Sequence, residues 1–389
     1  MSLAHGHDLI AIPGPSPVPA RVLNAAHRAS PDIYGDGLAE LNLSVMSQLK
    51  RLAGTTQNLA PYIGNGHAGW EASAANLFDN GDHVLVITCG HFGRSWAQML
   101  EEMGIKVERL DFGNLPSDPA RLADRLAQDR DRTIRAVMVC QTDTASATMA
   151  DIPALKAAMS GHPALLVVDA IASLGCAPMK MDEWGVDVLI AASQKGMMCL
   201  PGTSFVWFSD RAAEQGRKQG VSPYWNWTLR AQSQALWRFW GGTPPVQQIF
   251  ALHEALTMIM EEEGLPAVWT RHARLARVVW AAVDAWGANG SGIALPVRDP
   301  QTRAMSVTAV TMPRADELRA WVTRECGVTL GVGLGADDPA GALRIAHMGH
   351  CNAAMMMGAL GAIEAGLTAL DIPHGHGALE AAATSIARF

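Results

Sequence analysis

The sequence predicts an α/β protein, with a large domain on a mainly parallel sheet and a smaller α+β domain at the C-terminal end. Three observations predict it. Short apolar runs alternate with helical stretches between residues 83 and 208, the pattern of successive βαβ units. Each run is apolar throughout rather than at every second position, as expected of parallel strands buried on both faces. Beyond residue 210 the alternation stops, and a Trp-rich stretch and a long helix lead into a region of different pattern.

The elements follow in chain order. Residues 1–20 end in Pro13-Gly14-Pro15-Ser16-Pro17, too dense in Pro and Gly for a helix, and are expected to form an extended arm. A helix is expected over 38–53. Asn58–Ile63 contains Pro61 and reads as a poor strand; the Gly-rich turn Gly64-Asn65-Gly66-His67-Ala68-Gly69 then opens an Ala-rich helix. Strands are expected at 83–88, 135–140, 164–169, 186–191 and 203–208, with helices at 94–103, 119–129 and 151–160. Residues 211–245 are rich in Trp and end in Gly241-Gly242-Thr243-Pro244-Pro245. One helix over about 246–287 bridges to strands at 304–312, 328–332 and 342–349 and a final Ala/Met-rich helix. The resulting division is an arm (1–20), a large domain (21–265) and a small domain (266–389), without internal repeats.

Composition narrows the function classes. The chain has 389 residues, 30 basic and 37 acidic, for a net charge of −7. That balance argues against a nucleic-acid binder, which carries a basic excess. Hydrophobic residues make up 49 % and charged residues 17 %, the latter below the usual share of about 25 %, so a large core is available, part of it at a subunit interface. The six cysteines are scattered without a CxxC pair and read as free thiols of a reducing compartment. No basic-then-apolar leader and no long apolar run is present, so a cytoplasmic protein without membrane contact is expected. The histidines show no HExxH spacing, and no metal site is expected.

Two strand ends carry the strongest chemical signal. Leu165–Asp169 ends in a carboxylate, and Val186–Ala191 leads directly into Ser193-Gln194-Lys195-Gly196. Ligands of open α/β sheets sit at the carboxyl ends of the strands. A lysine and an aspartate delivered there suit pyridoxal phosphate: the amine forms a Schiff base with the aldehyde, and the carboxylate keeps the ring nitrogen protonated. Gly64–Gly69 satisfies GxGxxG. The poor strand before it favours a monophosphate site at a helix N-terminus over a dinucleotide fingerprint. Gly90-His91-Phe92-Gly93, just past a strand, places an aromatic where it can stack on a flat ring. Arg344, set among apolar residues in Leu343-Arg344-Ile345, calls for an anion, and a carboxylate is its best bidentate partner.

With these residues assembled, the chain resembles the class V aminotransferases of the pyridoxal-phosphate fold-type I superfamily, among them the alanine–glyoxylate and bacterial serine–glyoxylate enzymes. The matching pieces run in order along nearly the whole chain: Pro13-Gly14-Pro15, GNGHAGWEA at 64–72, VDAIASLG at 168–175, MDEWGVDV at 181–188, SQKG at 193–196, TPPV at 243–246, GVGLG at 331–335 and LRIAHMG at 343–349. The resemblance implies a seven-stranded, mainly parallel sheet in the large domain. It makes Lys195 the Schiff-base lysine and Asp169 the partner of the pyridinium nitrogen. Gly66, His67, Ala68 and Gln194 would contact the phosphate, Phe92 and Ile171 the two ring faces, and Thr144 the ring hydroxyl. Thr243 would reach the phosphate of the neighbouring subunit, which implies a homodimer with shared active sites. Arg344 would grip the substrate α-carboxylate, with Gly14 beside it. The implied activity is ping-pong transfer of an amino group from serine, alanine or aspartate to a 2-oxo acid, with glyoxylate first among acceptors.

The chain also departs from the family pattern. Trp240 stands where many relatives carry a tyrosine that contacts the partner's phosphate, and an indole can donate only through its N–H. Leu200-Pro201-Gly202 replaces Pro-Pro-Gly. Leu334 stands about where the pyridoxamine–pyruvate branch has a second arginine, which weighs against that branch. Pro223-Tyr224-Trp225-Asn226-Trp227 either shapes the substrate pocket or packs at a subunit interface. The rival readings are a lyase or cysteine desulfurase with Cys326 or Cys351 as nucleophile, an NAD-dependent dehydrogenase using Gly64–Gly69, and a non-catalytic cofactor-binding protein. His374-Gly375-His376 reads as a solvated tail.

Overall fold

The structure is a computed structural model that describes residues 2–217, 220–233 and 235–388. Seven strands form the larger sheet, in the order Asn58–Ile63, Thr203–Phe208, Val188–Ala192, Leu165–Asp169, Ile134–Cys140, His83–Thr88, Lys106–Asp111. Only Thr203–Phe208 runs against the others; it pairs antiparallel with both of its neighbours.

The packing explains the apolar runs. Val84, Val86, Met138, Val167 and Ile190 face one core, whereas Leu85, Ile87, Val139, Val168 and Leu189 face another across the sheet. Successive side chains of a strand point to opposite faces, so a sheet covered on both sides needs apolar residues at every position. The central strands are accordingly buried at all five positions in Leu165–Asp169 and Val188–Ala192.

Two strands of this sheet escape the sequence reading, and both lie at its edges. Lys106–Asp111 has only exposed and half-buried residues, and its Glu108 and Arg109 pair with Arg125 and Glu101. Charge on an edge strand guards against pairing with other chains. Asn58–Ile63 is a strand despite Pro61, because at the edge one side of the backbone needs no ladder partner. The Gly64–Gly69 turn therefore does follow a strand, and the case against a dinucleotide site cannot rest on the lack of one.

The bridging helix is also interrupted. Helix Val246–Thr257 passes into a π-helical turn at Met258–Glu263, and helix Leu265–Trp286 starts afresh. Gly264 takes φ 83°, a left-handed conformation that only glycine adopts freely, and Pro266 lacks the N–H that a continuous helix would use.

A second sheet has the order Leu9–Ala11, Val328–Val332, Ala342–Ala346, Val307–Thr311. Part of the expected arm thus belongs to this sheet: Leu9, Ile10 and Ala11 pair parallel with Val328, Thr329 and Leu330. Helices Leu265–Trp286 and Ala353–Ala369 cover it, and Leu330, Leu343 and Ile345 join Val279, Val283, Leu360 and Ile363 in one core. The chain after Ala11 crosses to the large sheet, and Ser16 N donates to Gln194 O.

Among the described residues, no helix is long and apolar enough to cross a membrane, and no group of His, Cys, Asp and Glu could hold a metal ion.

Candidate active site

The parallel strands all end at one edge of the sheet. From that edge rise the turns after Ile63, Thr88, Cys140, Asp169 and Ala192, and together they line a cavity of about 210 Å³. Gly66, His67, Phe92, Thr144, Asp169, Ile171, Gln194 and Lys195 all line it. Residues chosen from five separate motifs are therefore neighbours in space.

Asp169 sits at the floor, 5 % exposed. Its Oδ1 accepts from Ile171 N (2.7 Å) and its Oδ2 from the indole N–H of Trp70 (3.0 Å), with the Cys140 thiol at 3.5 Å. Burial pushes the carboxyl up to about 6, against the pull of these donors. It is therefore ionised at neutral pH and suited to pairing with a protonated ring nitrogen. Burial and the nearby Arg344 guanidinium lower Lys195 to about 8. Its amine donates to Pro13 O, and Gly14 makes that approach possible: at φ 105° a Cβ there would collide with Lys195 Nζ. Gly14 therefore meets the lysine itself.

Helix Gly66–Leu77 points its N-terminus into the cavity, where free backbone N–H groups and the helix dipole favour an anion. Asn65 caps it by accepting from His67 N at 3.1 Å. The absence of a Cβ on Gly66 lets Ile171 lie against the helix start. Two buried polar atoms of the lining have no partner among the described residues: Thr142 Oγ1 and Gln194 Oε1. Unpaired polar groups in a buried site are costly, and a bound polar ligand removes that cost. These two atoms, with a carboxylate at the floor, an amine at the side and an anion-ready helix end, fit pyridoxal phosphate.

Arg344 is 7 % exposed and lies just behind this wall. Its Nε donates to Val332 O (2.7 Å) and its Nη1 to Thr144 O (3.1 Å). Among the described residues it forms no ion pair. Burial lowers it to about 10, against the pull of the Asp143 carboxylate, so it remains a cation at neutral pH.

Four chosen residues are not part of the cavity lining: Gly14 and Arg344, placed above, and Ala68 and Thr243. Ala68 faces away from it, on the helix side where a Cβ on Gly64 would meet its methyl. The reason is helical: Gly66, His67 and Trp70 lie on the face turned to the cavity, and Ala68 is rotated away from it. Thr243 is exposed and does not line this cavity. Trp240 is fully buried, and its N–H donates to Asn42 Oδ1 (2.9 Å), so that donor is already committed. The Trp-rich segment packs on the edge strand rather than lining the cavity. Trp227 stacks on Phe208 (4.3 Å between ring centroids), and Arg230 lies over Tyr62 and donates to the carbonyls of Pro61, Tyr224 and Phe239.

Residues missed at the sequence level are Trp70, Asn65, Thr142 and Asp143. The sequence carried one signal, Asn65 ahead of a helix start; the others depend on contacts across the sheet. Of the two cysteines considered as nucleophiles, burial raises Cys351 to about 12 and Cys326 is also raised, so neither is poised as a thiolate.

A half-buried lysine and a buried carboxylate at adjacent strand ends, beneath an anion-ready helix, define a pyridoxal-phosphate enzyme of fold type I. The chain belongs to the class-V aminotransferase family, whose family model matches residues 13–343. It is 31 % identical to a serine–glyoxylate aminotransferase of Methylorubrum extorquens, over 98 % of this chain and 96 % of that protein. It is 32 % identical to an L-aspartate–glyoxylate aminotransferase of Paracoccus denitrificans, over 94 % of this chain and 92 % of that one. The structure of a pyridoxamine–pyruvate aminotransferase from Mesorhizobium loti superposes with a TM-score of 0.88 at 24 % identity, covering 100 % of both chains. Pyridoxal phosphate is the family's general cofactor.

Proposed function

We propose that this aminotransferase takes the amino group of a small L-amino acid (serine, alanine or aspartate) and passes it to a 2-oxo acid, glyoxylate first. The observation that carries the reading is the meeting of Lys195, Asp169 and the Gly66 helix end in one cavity, with the unpaired Arg344 cation behind its wall. The names of the similar proteins support glyoxylate as acceptor. Leu334, where a second arginine would stand, weighs against the pyridoxamine–pyruvate alternative.

Bound pyridoxal phosphate supplies an electron sink for charge left at the substrate Cα. Asp169 holds a proton at the ring nitrogen, which keeps that sink effective. Gly66, His67 and Gln194 hold the phosphate, Thr144 the ring hydroxyl, and Phe92 and Ile171 exclude water from the two ring faces. Arg344 binds the α-carboxylate and orients Cα. The Lys195 amine takes the Cα proton and returns it at C4′.

Thr243 is exposed and does not line the cavity of its own chain, so we assign it to the cavity of a second subunit. Trp237, a large apolar residue 49 % exposed nearby in the chain, supports a homodimer. We place the protein in the cytoplasm, on its free cysteines.

The reading is tested by absorption spectroscopy. The holoprotein is expected to show a visible cofactor band that bleaches with one donor among serine, alanine and aspartate and returns with glyoxylate. A band unmoved by every amino acid, or no uptake of the cofactor, overturns it. The lowered Lys195 gives a further expectation. The neutral amine is the nucleophile, and its fraction rises as pH rises through about 8 rather than through 10.5. Covalent capture of pyridoxal phosphate by apoprotein, followed by stopped-flow absorbance, should accelerate up to about pH 8 and then level off. Continued acceleration to pH 10 would show an ordinary lysine.

A further inference from the structure

We propose that Asp143 is a positioning residue that sets both Phe92 and Thr144 for the cofactor and substrate, one carboxylate oxygen serving each. The inference rests on the roles proposed above for Phe92, Thr144 and Arg344.

The helix His91–Glu102 carries Phe92 in its first turn, but its N-cap is Gly90, which has no side chain to accept from the first amides. The missing cap comes from another strand end. Asp143 Oδ2 accepts from Gly93 N at 3.0 Å, the amide a local cap residue would take. Its charge also suits the positive end of the helix. Gly90 is what admits it, since a Cβ there would lie 2.5 Å from Asp143 Cγ and Oδ1.

The other oxygen works on its own chain segment. Asp143 Oδ1 accepts from Ala145 N at 3.0 Å, closing a tight turn with Thr144 at its centre. The Thr144 carbonyl so held is the acceptor for Arg344 Nη1 at 3.1 Å. One carboxylate, 1 % exposed, thus ties the ring-stacking helix to the turn that seats the substrate arginine. Burial raises its pKa, and the amides of Gly93, Ala145 and Phe92 and the charge of Arg94 oppose that rise. A group so costly to bury is retained for what it holds.

The two oxygens make the proposal separable by experiment on the full-length protein. In Asp143→Ala the dissociation constant for pyridoxal 5′-phosphate and the KM for the amino donor should each rise about tenfold. Gly90 has φ 172°, extended backbone open to any residue, and loss of the Asp143 carboxylate frees the space beside it. The double variant Gly90→Ser/Asp143→Ala therefore supplies a local cap for Gly93. It should bring the cofactor dissociation constant back to within about threefold of wild type and leave KM raised. Unchanged constants in Asp143→Ala, or a double variant that recovers both constants or neither, overturn the proposal.

If Asp143→Ala gives no cooperative thermal transition, Asp143→Asn is measured instead. It keeps one acceptor oxygen, so one constant should rise while the other holds; both unchanged overturns the proposal. Wild-type protein that takes up no pyridoxal phosphate overturns the proposed function and this inference with it. Wild type that binds, matched by Asp143→Ala, overturns this inference alone.

Discussion

Lys195→Ala should lower transamination by about 10⁴-fold or more, because it removes the residue proposed as both covalent anchor and proton carrier. The cofactor should still bind. The Gly66 helix end, Gln194, Phe92, Ile171 and Asp169 remain, and the substitution leaves a space next to Pro13 and Gly14 rather than a clash. The measurement pairs single-turnover kinetics with equilibrium dialysis of pyridoxal phosphate. Full turnover in the variant would remove Lys195 from the chemistry. Loss of cofactor binding along with turnover would show that the noncovalent contacts do not suffice. The variant should also fold, since the Lys195 backbone keeps its bonds to Ser16 Oγ and Met198 N.

Arg344→Ala should raise KM about 100-fold for amino donor and oxo acceptor alike, the worth of a charge-assisted carboxylate contact of about 3 kcal/mol. Both substrates carry the same carboxylate, so both constants should move together. Cofactor affinity should change little, because Arg344 lies behind the cavity wall and is not part of its lining. Unchanged KM values would remove Arg344 from the substrate site. Arg344→Lys is expected to restore only part of the loss. An ammonium keeps the charge but cannot donate at once to Val332 O, Thr144 O and a bidentate carboxylate.

Much of the large domain was legible because its central strands face apolar surroundings on both sides. Burial of that kind forces a continuous apolar run, as in Leu165–Asp169 and Val188–Ala192, and a reader of sequence sees it at once. The edge strands Asn58–Ile63 and Lys106–Asp111 were not legible, because an edge tolerates a proline and needs charge. Leu9–Ala11 was hidden for a different reason. Its partner lies more than 300 residues away at Val328–Leu330, and a strand of three residues has no pattern of its own.

The amino-acid sequence by itself determined the α/β class and which reactive groups meet in one cavity. Local order is enough for that: a strand that ends in Asp169 and another that runs into Lys195 must deliver both groups to the same edge of a parallel sheet. Tertiary structure alone decided how those groups are tuned and held. The indole of Trp70 reaches Asp169 across 99 residues, and Asp143 caps a helix that begins about 50 residues before it. Burial, which no local pattern reports, raises the Asp169 carboxyl and lowers the Lys195 amine. The physical reason is that residue identity fixes which charges and donors exist. Their energies depend on the dielectric and the partners that packing brings within about 3 Å.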